Sequence, residues 1–168
     1  MHIRPTTTAD LPSLHRVIER AYRGEAASES WAVESPPPTS PRSSIPALEA
    51  ILSDPAERLL VALDQEGAPI GCVQISDLGH GRAYLGLLCI DPGLQSGGLG
   101  HELLAAAERL AVSTFQTHRM EMTVIASHDR LIAYYQRRGY EPTGERRPYP
   151  VPLDPPYEML VLAKALAA

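Results

Sequence analysis

The chain has 168 residues, which is close to the usual size of one domain and enough to bury a hydrophobic core. Its formal charge of −5 argues against general binding to nucleic acid, because that affinity depends on basic side chains that neutralise phosphates. No run of about eighteen apolar residues is present, and the first five residues carry no apolar signal stretch, so we expect a cytoplasmic protein that neither spans a membrane nor is secreted.

The first third of the chain predicts a strand, a helix and a long irregular segment. Residues 3–6 favour a strand, and Asp10 precedes apolar residues that recur at helical spacing as far as Tyr22. Residues 23–44 then carry four prolines together with several serines and glutamates, a composition that resists both helix and strand. We expect a proline-rich loop over 23–44, and a loop of that length inside a compact domain is usually functional or disordered.

The remaining patterns predict alternating helices and strands in one domain over residues 1–168. A turn at Gln65, Glu66 and Gly67 indicates a hairpin between two of the strands. The predicted helices span residues 45–52, 99–115 and 130–138, and the predicted strands span residues 58–63, 70–76, 83–90, 120–125, 140–147 and 159–163. This order favours a mixed α/β sheet with helices on both faces.

The two cysteines, Cys72 and Cys89, both lie within apolar strand-like runs. A disulfide is not expected in a reducing compartment, and two thiols do not make a metal site. We therefore predict two small core residues and no bound metal.

The most informative segment is the glycine-rich turn after the strand that ends at Ile90. Glycines at 97, 98 and 100 leave room for a ligand beside the backbone, and the first turn of a helix offers unpaired N–H groups and partial positive charge to an anion. Two phosphate motifs fail here, because no lysine follows Gly100 and Leu103 stands where a dinucleotide fingerprint has its third glycine. A glycine turn built only for geometry remains the alternative.

Two motifs together resemble the GCN5-related N-acetyltransferases. The six residues 95–100 match the Q/R-x-x-G-x-G/A signature of that family, and residues 134–140 resemble its later segment, an aromatic pair on a helix followed by Gly139 and Tyr140. The resemblance covers residues 83–147. It implies a mostly antiparallel central sheet of six to seven strands, an acetyl-CoA co-substrate and transfer of the acetyl group to an amine.

The resemblance also implies a set of cofactor-binding positions. The pantetheine arm would pair with backbone groups of Leu88 and Ile90 as an added strand does, and the Leu88 N–H would face the thioester carbonyl as a catalytic oxyanion donor. His128 stands where the family often has an asparagine that contacts the cofactor. The complete set implied is Leu88, Cys89, Ile90, Gln95, Ser96, Gly97, Gly98, Leu99, Gly100, His128 and Tyr135.

Tyr135 takes the position of the general acid of the family, which protonates the departing thiolate. A tyrosine keeps its proton at neutral pH and can donate it, whereas Tyr134 fits a packing role. A general base is not assigned: the alignment puts Tyr84 where some relatives have a glutamate. Open candidates are Glu121, Glu25, Glu29 and a chain of water molecules.

These observations leave three functions open. The first is direct acetyl transfer to a primary amine of a small molecule or amino acid in a ternary complex, and the second is acetylation of a protein N-terminus or lysine. The third is a non-catalytic acyl-CoA sensor. The resemblance places the 23–44 loop on the substrate side, where Trp31 is either a lid residue or an anchor, and a homodimer is an open expectation because many family members are dimers.

Overall fold

The computed structural model describes residues 1–23, 41–94, 97–150 and 156–167. Its helices are α1 (Leu11–Tyr22), α2 (Ile45–Ser53), α3 (Leu99–Phe115) and α4 (Asp129–Arg137). Its strands are β1 (His2–Pro5), β2 (Glu57–Leu63), β3 (Pro69–Gly79), β4 (Arg82–Ile90), β5 (Arg119–Ile125), β6 (Glu141–Pro148) and β7 (Glu158–Ala165). Each helix and strand predicted from the sequence is present with bounds shifted by one or a few residues.

The seven strands form one sheet in the order β1-β2-β3-β4-β5-β7-β6. All neighbouring pairs are antiparallel except β4 and β5, which run parallel. A mixed, mostly antiparallel sheet with helices on both faces was predicted, and the structure confirms it.

Two hydrophobic cores lie on opposite faces of the sheet. Helices α1 and α2 cover one face, where Leu14 and Ile18 pack against residues that include Cys72 and Cys89. Helix α3 covers the other face, where Leu103 packs in a core that also holds Tyr135 of α4. The apolar residues of α1 face the core that contains Cys72 and Cys89, because their spacing of three and four places them on one side of the helix.

A bulge in β4 changes which residues face each core. Before it, Ala83 and Leu85 belong to the α3 face, whereas after it Leu88 and Ile90 do. The register with β3 skips from Gly86 to Cys89, and Leu87 has a φ of +52°, which is rare for a residue with a side chain. One extra residue therefore exchanges the two faces of β4 halfway along the strand.

The proline-rich segment is described only at its ends, so Trp31, Glu25 and Glu29 lie outside the described residues. At the C-terminal end, the Glu19 carboxylate accepts hydrogen bonds from the backbone N–H groups of Arg42 at 2.9 Å and Ser43 at 3.1 Å. These bonds fix residues 42 and 43 to α1. Within the described ranges, no helix is both long and apolar enough to cross a bilayer.

Candidate active site

Strands β4 and β5 are paired only at their beginnings and then separate. Their register includes Arg82, Ala83 and Tyr84 on β4 and ends there. The gap opens a cleft in the middle of the sheet, which we call the central cleft. It is lined by Tyr22, Arg42, Tyr84, Leu85, Gly86, Leu87, Leu88, Met122, Thr123, Val124, Ile125, His128, Leu131, Tyr135 and Met159.

The bulge orients the peptide groups of β4 at the central cleft. The Leu87 carbonyl accepts a hydrogen bond from the Cys72 thiol at 3.3 Å, on the β3 side. Because a trans peptide holds its N–H and C=O on opposite sides, the Leu88 N–H is directed away from Cys72. Leu88 has no register partner on β3 or on β5.

Tyr22 of α1 stabilises the same bulge from the face of the sheet that α1 covers. Its hydroxyl donates a buried hydrogen bond to the Leu88 carbonyl at 2.9 Å, although the two residues are 66 positions apart in the chain. Burial raises the pKa of Tyr22 well above its usual value, so the hydroxyl keeps its proton for this bond. This contact was not predicted, and the sequence carries no signal of it beyond an aromatic residue at the end of an amphipathic helix.

The predicted anion site lies at the N-terminus of α3. Gly98 is the residue before the helix and has a φ of +79°, which only glycine adopts without strain. A Cβ at Gly98 would have no heavy atom within 4 Å, so the space beside it is open to a ligand. Leu99 and Gly100 begin the helix, Gly97 precedes it, and Gln95 and Ser96 lie outside the described residues.

Tyr135 and Leu88 both line the central cleft. Tyr135 is buried, and its ring makes edge contacts with Tyr134 at 5.5 Å and Tyr140 at 6.0 Å between centroids. Burial, with smaller contributions from Tyr134 and Tyr84, raises the pKa of Tyr135 above that of a free phenol. The side chain is therefore a proton donor at neutral pH.

His128 lines the cleft and also begins α4. Its Nδ1 accepts a hydrogen bond from the Leu131 N–H at 3.4 Å, so the proton of the neutral ring is on Nε2. The position that the resemblance assigns to a cofactor contact therefore carries a ring N–H donor.

The two cysteines are buried, and their sulfur atoms are 3.6 Å apart. The hydrogen bond to Cys89, followed by burial, raises the pKa of the Cys72 thiol. Cys89 packs in the core under α1 and is not among the residues that line the central cleft. The described residues contain no group of three or more histidines, cysteines or carboxylates placed to hold a metal ion.

Glu121 is an unsuitable general base. Its buried carboxylate accepts hydrogen bonds from Arg82 at 2.9 Å and 3.1 Å and from Arg119 at 3.4 Å, and it does not line the central cleft. Tyr84 does line it, and its hydroxyl lies 2.5 Å from the Thr123 hydroxyl. The residues described in the cleft include no carboxylate.

The sequence of the chain decides the family. The model of the Acetyltransferase (GNAT) family matches residues 25–140, which is most of the chain. The chain belongs to the GNAT acetyltransferase family. The resemblance based on the glycine turn and the tyrosine helix is therefore confirmed, and this acetyltransferase is an acyl-transferring enzyme.

Solved structures share the fold of this acetyltransferase at low sequence identity. The ribosomal-protein-alanine N-acetyltransferase from Brucella melitensis is 19% identical with a TM-score of 0.77, and covers 99% of this chain and 100% of its own. The ribosomal-protein-S18-alanine N-acetyltransferase from Escherichia coli is 18% identical with a TM-score of 0.76, and the match covers 99% of this chain and 94% of that one. The spermidine N-acetyltransferase from Vibrio cholerae in complex with CoA and spermine is 17% identical with a TM-score of 0.73, and the match covers 98% of this chain and 94% of that one.

Proposed function

We propose that this acetyltransferase moves the acetyl group of acetyl-CoA to a primary amine of a small molecule or amino acid, by direct attack in a ternary complex. The observation that carries the proposal is the central cleft, where the Leu88 peptide at the bulge and the Tyr135 side chain face one space. A cytoplasmic location accompanies the proposal, because the enzyme must have access to acetyl-CoA.

The chain has the features that acetyl-CoA requires. Beyond Tyr84, β4 has no register partner on β5, and on this side of the strand the amides of the pantetheine arm would pair with backbone groups of Leu88 and Ile90 as an added strand does. The pyrophosphate fits the N-terminus of α3, where Gly98 leaves open space and helix N–H groups supply partial positive charge. The signature residues Gln95, Ser96, Gly97, Leu99 and Gly100 complete that proposed set.

Basic side chains for the adenosine 3′-phosphate are proposed on α3 and α4. His101, Arg137 and Arg138 line one surface groove between these helices. Arg138 stacks on the ring of Tyr134 at 4.1 Å, which holds its guanidinium group in place.

In the proposed reaction, a neutral amine attacks the thioester carbonyl and the carbon–nitrogen bond forms as the carbon–sulfur bond breaks. The Leu88 N–H stabilises the oxyanion that develops on the carbonyl oxygen. The Tyr135 hydroxyl donates its proton to the departing thiolate and regains one from solvent, and the proton lost by the amine passes to solvent. Cys89 is not used as an acyl carrier, because its thiol is buried in the core and Cys89 does not line the central cleft.

Acetylation of a protein N-terminus is the second candidate, since two of the structural neighbours are named for ribosomal-protein alanine. The small acceptor is favoured because two separate segments, Pro41 with Arg42 and residues 148–150, both line one pocket next to the cleft. Such a pocket suits a compact molecule better than an extended polypeptide.

Calorimetry with acetyl-CoA, followed by thiol release with a panel of amines and of peptides with N-terminal alanine, tests these functions. Binding with turnover of small amines supports the proposal, whereas turnover restricted to peptides supports the protein acetyltransferase. Binding with no turnover of either class would support the non-catalytic sensor. Absence of acetyl-CoA binding would overturn the assignment of the central cleft.

A further inference from the structure

A second pocket opens directly outside the central cleft, and we call it the outer pocket. It shares Arg42, Tyr84, Thr123 and Met159 with the central cleft, so the two spaces are adjacent. Its remaining lining residues are Arg23, Pro41, Arg147, Pro148, Tyr149 and Pro150. A molecule in the outer pocket can therefore present an amine to the space beside Leu88.

The charged side chains described in the lining of the outer pocket are all basic. Arg23, Arg42 and Arg147 line it, and no aspartate or glutamate does among the described residues. The chain as a whole has a formal net charge of −5 at pH 7. Arginine stays protonated at any physiological pH, so the described walls present positive charge to whatever enters.

The fold holds Arg42 at the junction of the two spaces. Glu19 binds the backbone N–H of Arg42, and the Arg42 guanidinium carbon lies 4.8 Å from the centroid of the Tyr22 ring. Tyr22 in turn holds the Leu88 carbonyl. One connected set of contacts therefore positions both the arginine and the peptide that faces the reacting carbonyl in the proposed function.

Arg147 approaches from the other side of the outer pocket. It follows an irregularity in β6 between Pro142 and Arg146, where Gly144 has a φ of +89°. Its Nε donates to the Glu145 carboxylate at 2.5 Å, and its Nη2 is 3.8 Å from Glu121. Glu145 and Glu121 thus orient Arg147 without lining the pocket themselves.

We propose that the acceptor is a small primary amine that also carries a carboxylate, an amino-acid-like zwitterion whose carboxylate binds Arg42, Arg147 and Arg23. This inference rests on the proposed function and narrows it to one substrate class. Guanidinium groups pair well with carboxylates, often through two parallel hydrogen bonds. A polyamine is disfavoured because its charges would be repelled by the same three arginines.

The arginines of the outer pocket also bear on how the acceptor amine loses its proton, since no carboxylate is described in the central cleft. Like charges lower the pKa of a bound ammonium group, since they disfavour its charged form. The acceptor amine can then lose its proton to water before it attacks, and no described carboxylate has to remove it. A pocket lined by carboxylates would have the opposite effect on the amine.

The test compares matched acceptors at saturating acetyl-CoA. Each α-, β- and ω-amino acid of a panel is paired with its carboxamide, which has nearly the same shape without the negative charge, and spermidine is included. We expect kcat/KM for the best carboxylate acceptor to exceed that for its carboxamide by about 10- to 100-fold, the value of a charged hydrogen-bonded pair. Equal or better use of carboxamides or spermidine overturns the inference.

Variants of the arginines test where the carboxylate of the acceptor binds. Arg42→Gln and Arg147→Gln should each raise KM for the carboxylate acceptor about tenfold or more while changing KM for acetyl-CoA and use of the carboxamide little. Arg146→Gln is the matched control, because Arg146 is adjacent on β6 but pairs with Glu158 and does not line the pocket. An equal loss with carboxylate and carboxamide would indicate a structural role and overturn the assignment.

The two proposals fail in different ways. A protein that does not bind acetyl-CoA contradicts the proposed function. A protein that binds acetyl-CoA and acetylates other amines, but no carboxylate-bearing amine, contradicts only the substrate class.

Discussion

The Tyr22 hydroxyl donates a buried hydrogen bond to the Leu88 carbonyl at 2.9 Å, which connects α1 to the bulge of β4. The bond satisfies a buried carbonyl at the point where Leu87 takes a φ of +52° and β4 leaves its regular ladder. The bulge that shapes the central cleft is therefore held by a side chain from a different part of the chain.

Removal of that hydroxyl should loosen the bulge. We expect Tyr22→Phe to lower the free energy of unfolding by about 1–3 kcal/mol, because the Leu88 carbonyl is left unpaired, and to lower kcat more than it changes KM for acetyl-CoA. Chemical denaturation and steady-state kinetics measure both effects. Tyr140→Phe is the control, since the buried Tyr140 hydroxyl has no hydrogen-bond partner within the described ranges, and its removal should leave stability unchanged or higher.

Tyr135→Phe should lower kcat about 100-fold or more while leaving the affinity for acetyl-CoA close to that of the native protein, because only the proton donor is lost. Tyr134→Phe should stay within a few fold of native activity. Since the pKa of Tyr135 is raised above 10.0, Tyr135 should cause no loss of kcat as the pH rises to 10. Native kcat in the Tyr135→Phe variant would remove the tyrosine from the mechanism.

Gly98→Ala should weaken acetyl-CoA binding, which calorimetry measures. The φ of +79° at Gly98 penalises any side chain, and the added methyl group enters the space that we assign to the pyrophosphate. Gly67→Ala is the matched control: Gly67 has a φ of +86°, also has open space around it, and lies in the hairpin turn between β2 and β3. Both changes should cost about 1 kcal/mol of stability, but only the first should change the affinity.

Cys89→Ala should retain activity within a few fold, because the thiol packs in the core under α1 and takes no part in acyl transfer. Mass spectrometry of native protein incubated with acetyl-CoA should show no acetyl adduct on Cys89. A covalent adduct that forms and decays at the rate of turnover would instead establish an acyl-enzyme.

Asp10 makes stability depend on acid pH. Its hydrogen bonds to Arg4, at 2.7 Å and 2.9 Å, lower the pKa of its carboxyl from 3.8 to about 2. A lowered folded-state pKa means that the contribution is complete above pH 3.8 and is lost as the pH falls toward 2. Asp10→Asn should therefore have a lower melting temperature than native protein at pH 7, and the difference should shrink between pH 4 and pH 2. A constant difference would mean that the charge of Asp10 contributes nothing.

The order of helices and strands could be predicted because it depends on local patterns. Leu11, Leu14 and Ile18 recur at helical spacing whatever they pack against, and a turn such as Gln65–Gly67 is set by its own residues. The glycines before α3 and the tyrosines of α4 likewise mark their own segments, which is why the family could be identified from them.

The bulge of β4 could not be predicted. Residues 87–90 are all apolar, so the sequence has no polar and apolar alternation that would show which residue faces which side of the sheet. A shift of one residue therefore cannot be detected from it. The sequence also left Glu121 as a candidate base. A position on a strand does not show that Arg82 and Arg119 already bind the Glu121 carboxylate.

The sequence by itself determined the helices and strands, the glycine-rich turn before α3 and the family, since each of these depends on neighbours in the chain. Only the tertiary structure decided that β4 and β5 separate after Tyr84, that Tyr22 holds Leu88, and that Arg42 and Arg147 line one pocket. These contacts join residues far apart in the chain. They form because packing two cores against one sheet brings the segments together, and the residues that meet carry no local pattern of their own.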